Sequence, residues 1–489
     1  MAPLTLVALG DSLTQGFLHG AMQRPNWSFP AILARGLGLE VPTQHRVPEF
    51  LGAGHPLNLE DLLRHLQREI GDTVETRELL LRLPKLVPAY VDEIEDFYER
   101  GPGSKPSGSD TYFHNLGAWG FRVGDALRLT SRACAAFVRQ EEGLIHDDLL
   151  ALPCAPMYRS AQQVLNPAGL PARANATILD NLRALAAEEP IDLLTLWLGA
   201  NDCLATVLEM KVADMPSSFR GTDQTARREF NLTSAAQFHS DYAQLVDEVA
   251  QILSSNPGRG QVYVGTVPHV TILPLTNGLG TQRGKYYDHY GRFFRNEGNR
   301  SGAFAQLLTR DQVIHIDERI DAFNGSIRSL ATAQGWTVVD IAQTFDELAV
   351  KRNDYHDDPG KPLRDYLGKR GFCVHPLLEL ERPPSILPYT VEKQPDGARR
   401  KSGGLVGLDH AHPSTLGYGL MAERFLQEIQ ASNPDHASLQ AACIDWADVL
   451  RHDTLEQDPP ALWADLMTHA DRYAWLWEGL SAAIARHVG

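Results

Sequence analysis

Apolar and polar positions follow two rhythms along this chain. Four short runs are largely apolar and rich in β-branched residues: Leu4–Leu9, Leu193–Leu198, Val262–Val267 and Thr337–Ile341. A strand buried on one face carries polar residues at every second position. These runs do not, so they predict strands of a parallel sheet covered on both faces. Between them, Ala174–Ala187, Ala236–Leu253 and Ile320–Ala333 repeat apolar residues at three- and four-residue spacing, the period of a helix with one buried stripe. Ser28, with Pro30 in the first turn, predicts a further helix start ahead of AILARGL. Strands alternating with helices predict an α/β layered fold, whose ligands bind outside the carboxyl ends of the strands. Ser12 falls just past the first run and Gly199–Asp202 just past the second, which puts both loops on that edge.

Long additions interrupt this rhythm. Residues 57–100 are rich in helix formers and lead into the Gly/Pro/Ser stretch GPGSKPSGS. Residues 270–310 contain KYYDHYGRFFR, and residues 345–405 carry many Pro and Gly with little periodicity. No internal repeat is present. The chain therefore reads as a domain over 1–430, with insertions at about 57–110, 270–310 and 345–405, and a helical extension over 431–489. That extension holds Trp446, Trp463, Trp475 and Trp477, and nine acidic against three basic residues. It is read as packing its tryptophans on the domain rather than as a separate binding module.

Composition narrows the classes of function. With 43% hydrophobic and 22% charged residues among 489, the chain is that of a globular protein. A formal net charge of −16 argues against nucleic acid as a partner, because phosphate binding needs a basic face. The one dense basic run, Arg399-Arg400-Lys401, sits between glycines and reads as a solvated loop. Five cysteines, Cys134, Cys154, Cys203, Cys373 and Cys443, show neither a disulfide framework nor zinc-ligand spacing. The N-terminus lacks the basic start of a signal peptide, and no apolar run reaches the ~18 residues of a membrane span. A soluble, cytoplasmic protein is expected, with export of a processed chain left open. Sequons at Asn26, Asn175, Asn231, Asn299 and Asn324 carry little weight without an export signal.

Four pieces carry the chemistry. The first is Gly10-Asp11-Ser12-Leu13. It is not the G-x-S-x-G elbow, since Thr14 replaces the second glycine. A serine hydroxyl is weakly nucleophilic without a base. The second piece, Asp409-His410-Ala411-His412-Pro413, supplies one: an acid three residues before a histidine on one loop can hold one ring nitrogen and leave the other for Ser12. His55-Pro56 and His375-Pro376 serve as internal controls, with Gly52 and Phe372 where the acid would stand. Reading Asp409, His410 and His412 as metal ligands lacks a further ligand cluster. The third piece is Gly199-Ala200-Asn201-Asp202, where an Asn amide at a strand end can donate to an oxyanion, although Gly and Asn also make ordinary turns. The fourth is Asn115-Leu116-Gly117-Ala118-Trp119-Gly120, where a glycine permits close backbone approach or simply a turn.

In kind and order these four pieces resemble the GDSL hydrolases of the SGNH superfamily. NWSFPAILARGLG also resembles the first helix after the serine block in that family. The resemblance implies a three-layer α/β/α fold with a mainly parallel, flavodoxin-like sheet, here enlarged by helical insertions and a helical C-terminal extension. It makes Ser12 the nucleophile, His412 the general base and Asp409 its orienting acid. Oxyanion donors would be the Ser12 and Gly120 N–H groups and the Asn201 amide, with Asp11 supporting the serine loop. The implied reaction is ester hydrolysis through an acyl-enzyme, without metal or organic cofactor, on a small-molecule ester. The insertions favour a covered pocket and an apolar acyl ester. A carbohydrate O-acetylesterase, a thioesterase and a catalytically silent glycan- or lipid-binding protein stay open. Trp119 and His269 are candidates for the substrate pocket. Tyr286, Tyr287, Tyr290, Phe293 and Phe294 line it, form a lid, or pack an insertion helix on the core. The oligomeric state is open.

Overall fold

The computed structural model describes residues 4–74, 81–142, 154–258, 260–296, 306–353, 358, 360–371 and 375–468. Its centre is a five-stranded sheet of β1 (Leu6–Gly10), β2 (Asn115–Gly117), β3 (Leu193–Trp197), β4 (Gln261–Gly265) and β5 (Thr337–Val339). The strands lie in the order β5-β4-β3-β1-β2 and every pairing is parallel. This is the 2-1-3-4-5 order of flavodoxin-like sheets, whose direction of winding reverses between β1 and β3. Gly10 pairs with Gly117 on one side and Trp197 on the other, so the three strands end flush at that switch point.

Alternate residues feed two apolar layers, as a doubly covered sheet requires. Val7, Leu9, Leu194, Leu196, Val262 and Val264 pack on helices α4 (Ile178–Glu188), α5 (Ala235–Ser254) and α6 (Arg310–Ala333). Leu6, Leu193, Tyr263 and Val339 face α1 (Phe29–Gly36) and α7 (Thr415–Ser432) on the other side. The result is a three-layer α/β/α protein. The four apolar runs all became strands. The fifth strand, β2, carried no such run: Asn115-Leu116-Gly117 has weak β propensity and is held instead by neighbours, with Asn115 Nδ2 donating to the Thr14 carbonyl at 2.8 Å. Helix α6 begins at Arg310 rather than Ile320, because Thr309 and Gln312 form a reciprocal capping box there. Helix α4 begins at Ile178 rather than Ala174 for the same reason, through Thr177 and Asp180.

The additions form a third layer of packing. Helices α2 (Leu59–Ile70) and α3 (Leu83–Glu99) share an apolar cluster with Tyr389, Leu408, Leu455, Leu462 and Trp463. The 270–310 segment holds a small antiparallel sheet, Thr276–Leu279, His289–Arg292 and Leu308–Thr309, rather than an insertion helix. The basic run is likewise not a solvated loop. It lies on the strand Gly397–Ser402, whose alternation leaves Arg399 and Lys401 exposed and turns Arg400 inward. There Arg400 Nε donates to Glu456 Oε2 at 2.7 Å and Nη1 to the Gly403 carbonyl at 2.7 Å. Trp446 and Trp463 are buried, with Trp463 Nε1 donating to the Tyr389 carbonyl at 2.8 Å. Trp475, Trp477, Cys373 and the Asn299 sequon lie outside the described residues. The described cysteines, Cys134, Cys154, Cys203 and Cys443, are all free thiols. No described helix is long and apolar enough to cross a membrane.

Candidate active site

Strand β1 ends at Gly10, and the chain turns at once into a single helical turn, Ser12–Gln15. Asp11 caps this turn, its Oδ1 accepting the Leu13 N–H at 3.0 Å. Gly10 is required by the sharpness of the turn, because a Cβ there would lie 2.0 Å from Thr14 Oγ1. His412 reaches this serine from the loop that precedes α7. Its Nε2 lies 3.1 Å from Ser12 Oγ, and its Nδ1 lies 3.1 Å from Asp409 Oδ2. A carboxylate only accepts, so Nδ1–H donates to Asp409 and Nε2 is left to receive the serine proton.

Asp409 is unusually well held. Its Oδ1 accepts the Ala411 and His412 N–H groups at 3.0 and 2.9 Å, and its Oδ2 accepts the Gly20 N–H at 2.8 Å as well as the imidazole. Burial alone pushes this carboxyl up. The His412 charge and hydrogen bond, with the backbone donors, outweigh it and hold the group well below the usual carboxylate range.

The loops carrying Gly120 and Asn201 meet each other, and the first is tied to the serine turn. Asn201 is buried and its Nδ2 donates to the Phe121 carbonyl at 3.0 Å. Gly120 has φ +75°, and a Cβ there would strike Met157 at 2.8 Å. Its carbonyl accepts from Arg227 Nη2 at 3.1 Å, which fixes the peptide plane. The preceding residues are tied to the serine turn: Ala118 N–H donates to the Gly10 carbonyl at 3.0 Å and Trp119 N–H to Gln15 Oε1 at 2.7 Å. Asp202 is a clamp, accepting from Thr233 Oγ1 at 2.8 Å and Val123 N–H at 3.1 Å. Burial raises its carboxyl to about 6.

Burial likewise pushes the Asp11 carboxyl up to about 7, against the Leu13 N–H and the His412 charge that act to lower it. Such a group favours folding below its unfolded pKa of about 3.9, and that contribution fades as pH rises through 7. Asp11→Asn keeps an acceptor for Leu13. The variant is therefore expected to match the wild type in melting temperature near pH 4, to gain on it between about pH 4 and 7, and to hold that gain above pH 7. A constant offset from about pH 4 to 7 would contradict the assignment.

The two pocket candidates fare differently. Trp119 is buried and stacks on Phe17, with centroids 5.0 Å apart, and Phe17 in turn lies 4.5 Å from the His412 ring. Phe17 is thus a neighbour of the site that sequence reasoning passed over. Only its place five residues after Ser12 pointed to it. His269 stands at the end of β4, separated from β1 by β3, in a cleft of about 670 Å³ shared with Asp317, Asp340 and Arg352. Its Nδ1 lies 3.1 Å from Asp346 and its Nε2 lies 3.2 Å from Asp321. Burial lowers its pKa, but the Asp346 hydrogen bond and the surrounding carboxylates more than reverse this. Of the 270–310 aromatics, Tyr290 and Phe294 are buried, and Phe293 packs against His410 at 4.1 Å. Among the described residues, no group of three or more His, Cys, Asp or Glu side chains is placed to hold a metal ion.

No protein-family model and no curated protein matches this chain. Among solved structures it is similar to LAE5, an alpha/beta hydrolase enzyme from the metagenome of Lake Arreo, Spain. Identity is 14% and the TM-score 0.28, over 90% of this chain and 97% of that one.

Proposed function

We propose that the protein is a serine-dependent carboxylic ester hydrolase of the GDSL type, acting on esters with an apolar acyl group. The observation that carries this reading is the continuous hydrogen-bonded chain from Asp409 through His412 to Ser12. A pure binding protein has no physical need of such a chain.

In the proposed cycle His412 Nε2 takes the Ser12 proton as Oγ attacks the ester carbonyl. The imidazolium formed is stabilised by Asp409. The tetrahedral oxyanion is met by the Ser12 and Gly120 N–H groups and by the Asn201 amide, whose anchoring on Phe121 limits its reorganisation. His412 then gives its proton to the leaving alkoxide. Water, deprotonated by His412, releases the acid and restores Ser12. An apolar acyl group is favoured by the aromatic surroundings, in which Phe17 lies on His412 and Trp119 on Phe17.

Hydrolysis of p-nitrophenyl esters of increasing acyl length, run beside the thioester series, tests the reading. Turnover rising from acetyl to longer chains is expected. Preference for acetyl or for thioesters would redirect the substrate class, and a folded protein inert on every ester would overturn the reading. Asn201→Ala is expected to lower kcat by on the order of 10²–10³ with little change in KM, because the oxyanion exists only in the transition state. Gly120→Ala is expected to be at least as damaging, since its positive φ and the Met157 contact both oppose a Cβ.

A further inference from the structure

The orienting acid is held partly from outside its own loop. Phe17–Leu18 and Ala21–Met22 pair antiparallel around a two-residue turn, His19-Gly20. Both turn residues have positive φ, +57° and +83°. Such turns favour Asn-Gly, and a histidine in the left-handed region is uncommon. Here both residues of the turn touch the catalytic loop. Gly20 N–H donates to Asp409 Oδ2 at 2.8 Å, and His19 Nδ1 accepts the Leu408 N–H at 3.0 Å. The approach is close enough that a Cβ on Gly407 would lie 2.8 Å from His19 Nδ1.

Because Nδ1 accepts, the His19 proton sits on Nε2, which points to Glu60 Oε2 at 3.3 Å. His19 and Glu60 are both buried. Glu60 belongs to α2 in the inserted segment, and its remaining capacity is met by Arg64, at 2.7 Å, and by Thr454 Oγ1, at 2.7 Å. Burial alone would raise the Glu60 carboxyl, but these partners hold it down to about 2. Arg64 continues to Asp458 at 2.8 Å. The neighbouring Asp453 returns to the catalytic region by accepting the Leu416 N–H at 3.0 Å, at the start of α7. A polar relay thus runs from the C-terminal segment, through the inserted helix, to the backbone beside Asp409.

We propose that His19 and Glu60 are positioning residues for Asp409, through which the insertion and the C-terminal segment set the geometry of the catalytic loop. The proposal rests on the hydrolase reading. It explains why an unfavoured histidine occupies a turn that Asn would fill: its imidazole is long enough to join Leu408 to Glu60. These side chains act through Asp409 and do not meet the reacting atoms.

The test is steady-state hydrolysis of a p-nitrophenyl ester by the full chain, with rates expressed per serine titrated by a fluorophosphonate. His19→Asn, which suits the turn but cannot span the gap, and Glu60→Ala should each lower kcat by on the order of 10- to 100-fold, with KM within about twofold. Glu60→Gln, whose remaining oxygen still accepts from His19 and Thr454 while the part-exposed Arg64 turns away from the new NH₂, should recover part of the loss. In an Asp409→Ala background His19→Asn should cost almost nothing further, because its route to the serine is already cut. Should the core variants fail to fold, Thr454→Val at the far end of the relay should show a smaller fall in kcat of the same kind. Full kcat per titrated serine in these variants, or losses that add to Asp409→Ala, would overturn the positioning role while leaving the hydrolase standing. A wild type inert on every ester would remove both.

Discussion

Ser12→Ala is expected to abolish ester hydrolysis, with kcat falling on the order of 10⁴-fold or more, and His412→Ala is expected to fall nearly as far. The reason lies in the 3.1 Å contact between His412 Nε2 and Ser12 Oγ. Without the hydroxyl no acyl-enzyme forms, and without the imidazole the hydroxyl keeps its proton. Each loss disables the same step, so the double variant should be no worse than the poorer single one. The check is kcat and KM on a p-nitrophenyl ester, together with the mass increase that a fluorophosphonate leaves on the wild type and not on Ser12→Ala. A Ser12→Ala enzyme keeping a tenth of the wild-type rate would mean that another nucleophile does the work.

The second large effect belongs to Asp409. All four groups around its carboxylate are donors: the N–H groups of Ala411 and His412 at Oδ1, and the Gly20 N–H and His412 Nδ1–H at Oδ2. An asparagine amide has no orientation here that avoids setting donor against donor. Placed toward the imidazole, its NH₂ would also force the ring proton onto Nε2, where it blocks acceptance from Ser12. Asp409→Asn should therefore lower kcat on the order of 10⁴-fold while KM changes little. The same variant carries a pH signature. A carboxyl whose folded pKa is depressed contributes stability above its unfolded value of about 3.9 and loses it as pH falls through the folded value. The wild type should thus melt above Asp409→Asn by its largest margin at pH 5 and higher, with the gap closing below pH 4. A gap that widens in acid would reverse the sign of the shift and remove its stated cause.

Much of this was legible in the chain because the signals are local. Continuous apolar runs mark β1, β3, β4 and β5 whatever they pack against, and an acid three residues before a histidine on one loop puts Asp409 within reach of His412, while its further support from Gly20 lies outside that loop. Other features had no local signal. Strand β2 owes its place to its pairing with β1 and to the Asn115 hydrogen bonds with Thr14 and Ser28 rather than to the β propensity of its residues. Arg400 read as solvated because its charge was visible and its partner, Glu456, lay 56 residues on. Phe17, His19 and Glu60 looked like ordinary turn and helix residues.

The sequence by itself determined the alternation of strands and helices, the edge on which Ser12 and Asn201 stand, and the local pairing of Asp409 with His412. Periodicity specifies which face of an element is buried and propensity specifies where it ends, and both are properties of short windows. Only the tertiary structure decided that His412 meets Ser12 across 400 residues, and that His269 faces Asp346 and Asp321 beyond β3. Helix α2 and the C-terminal segment converge on the loop that carries Asp409 and His412 for the same reason. Contacts between remote segments follow from the packing of the whole chain, where complementary surfaces meet in three dimensions and leave no pattern along one.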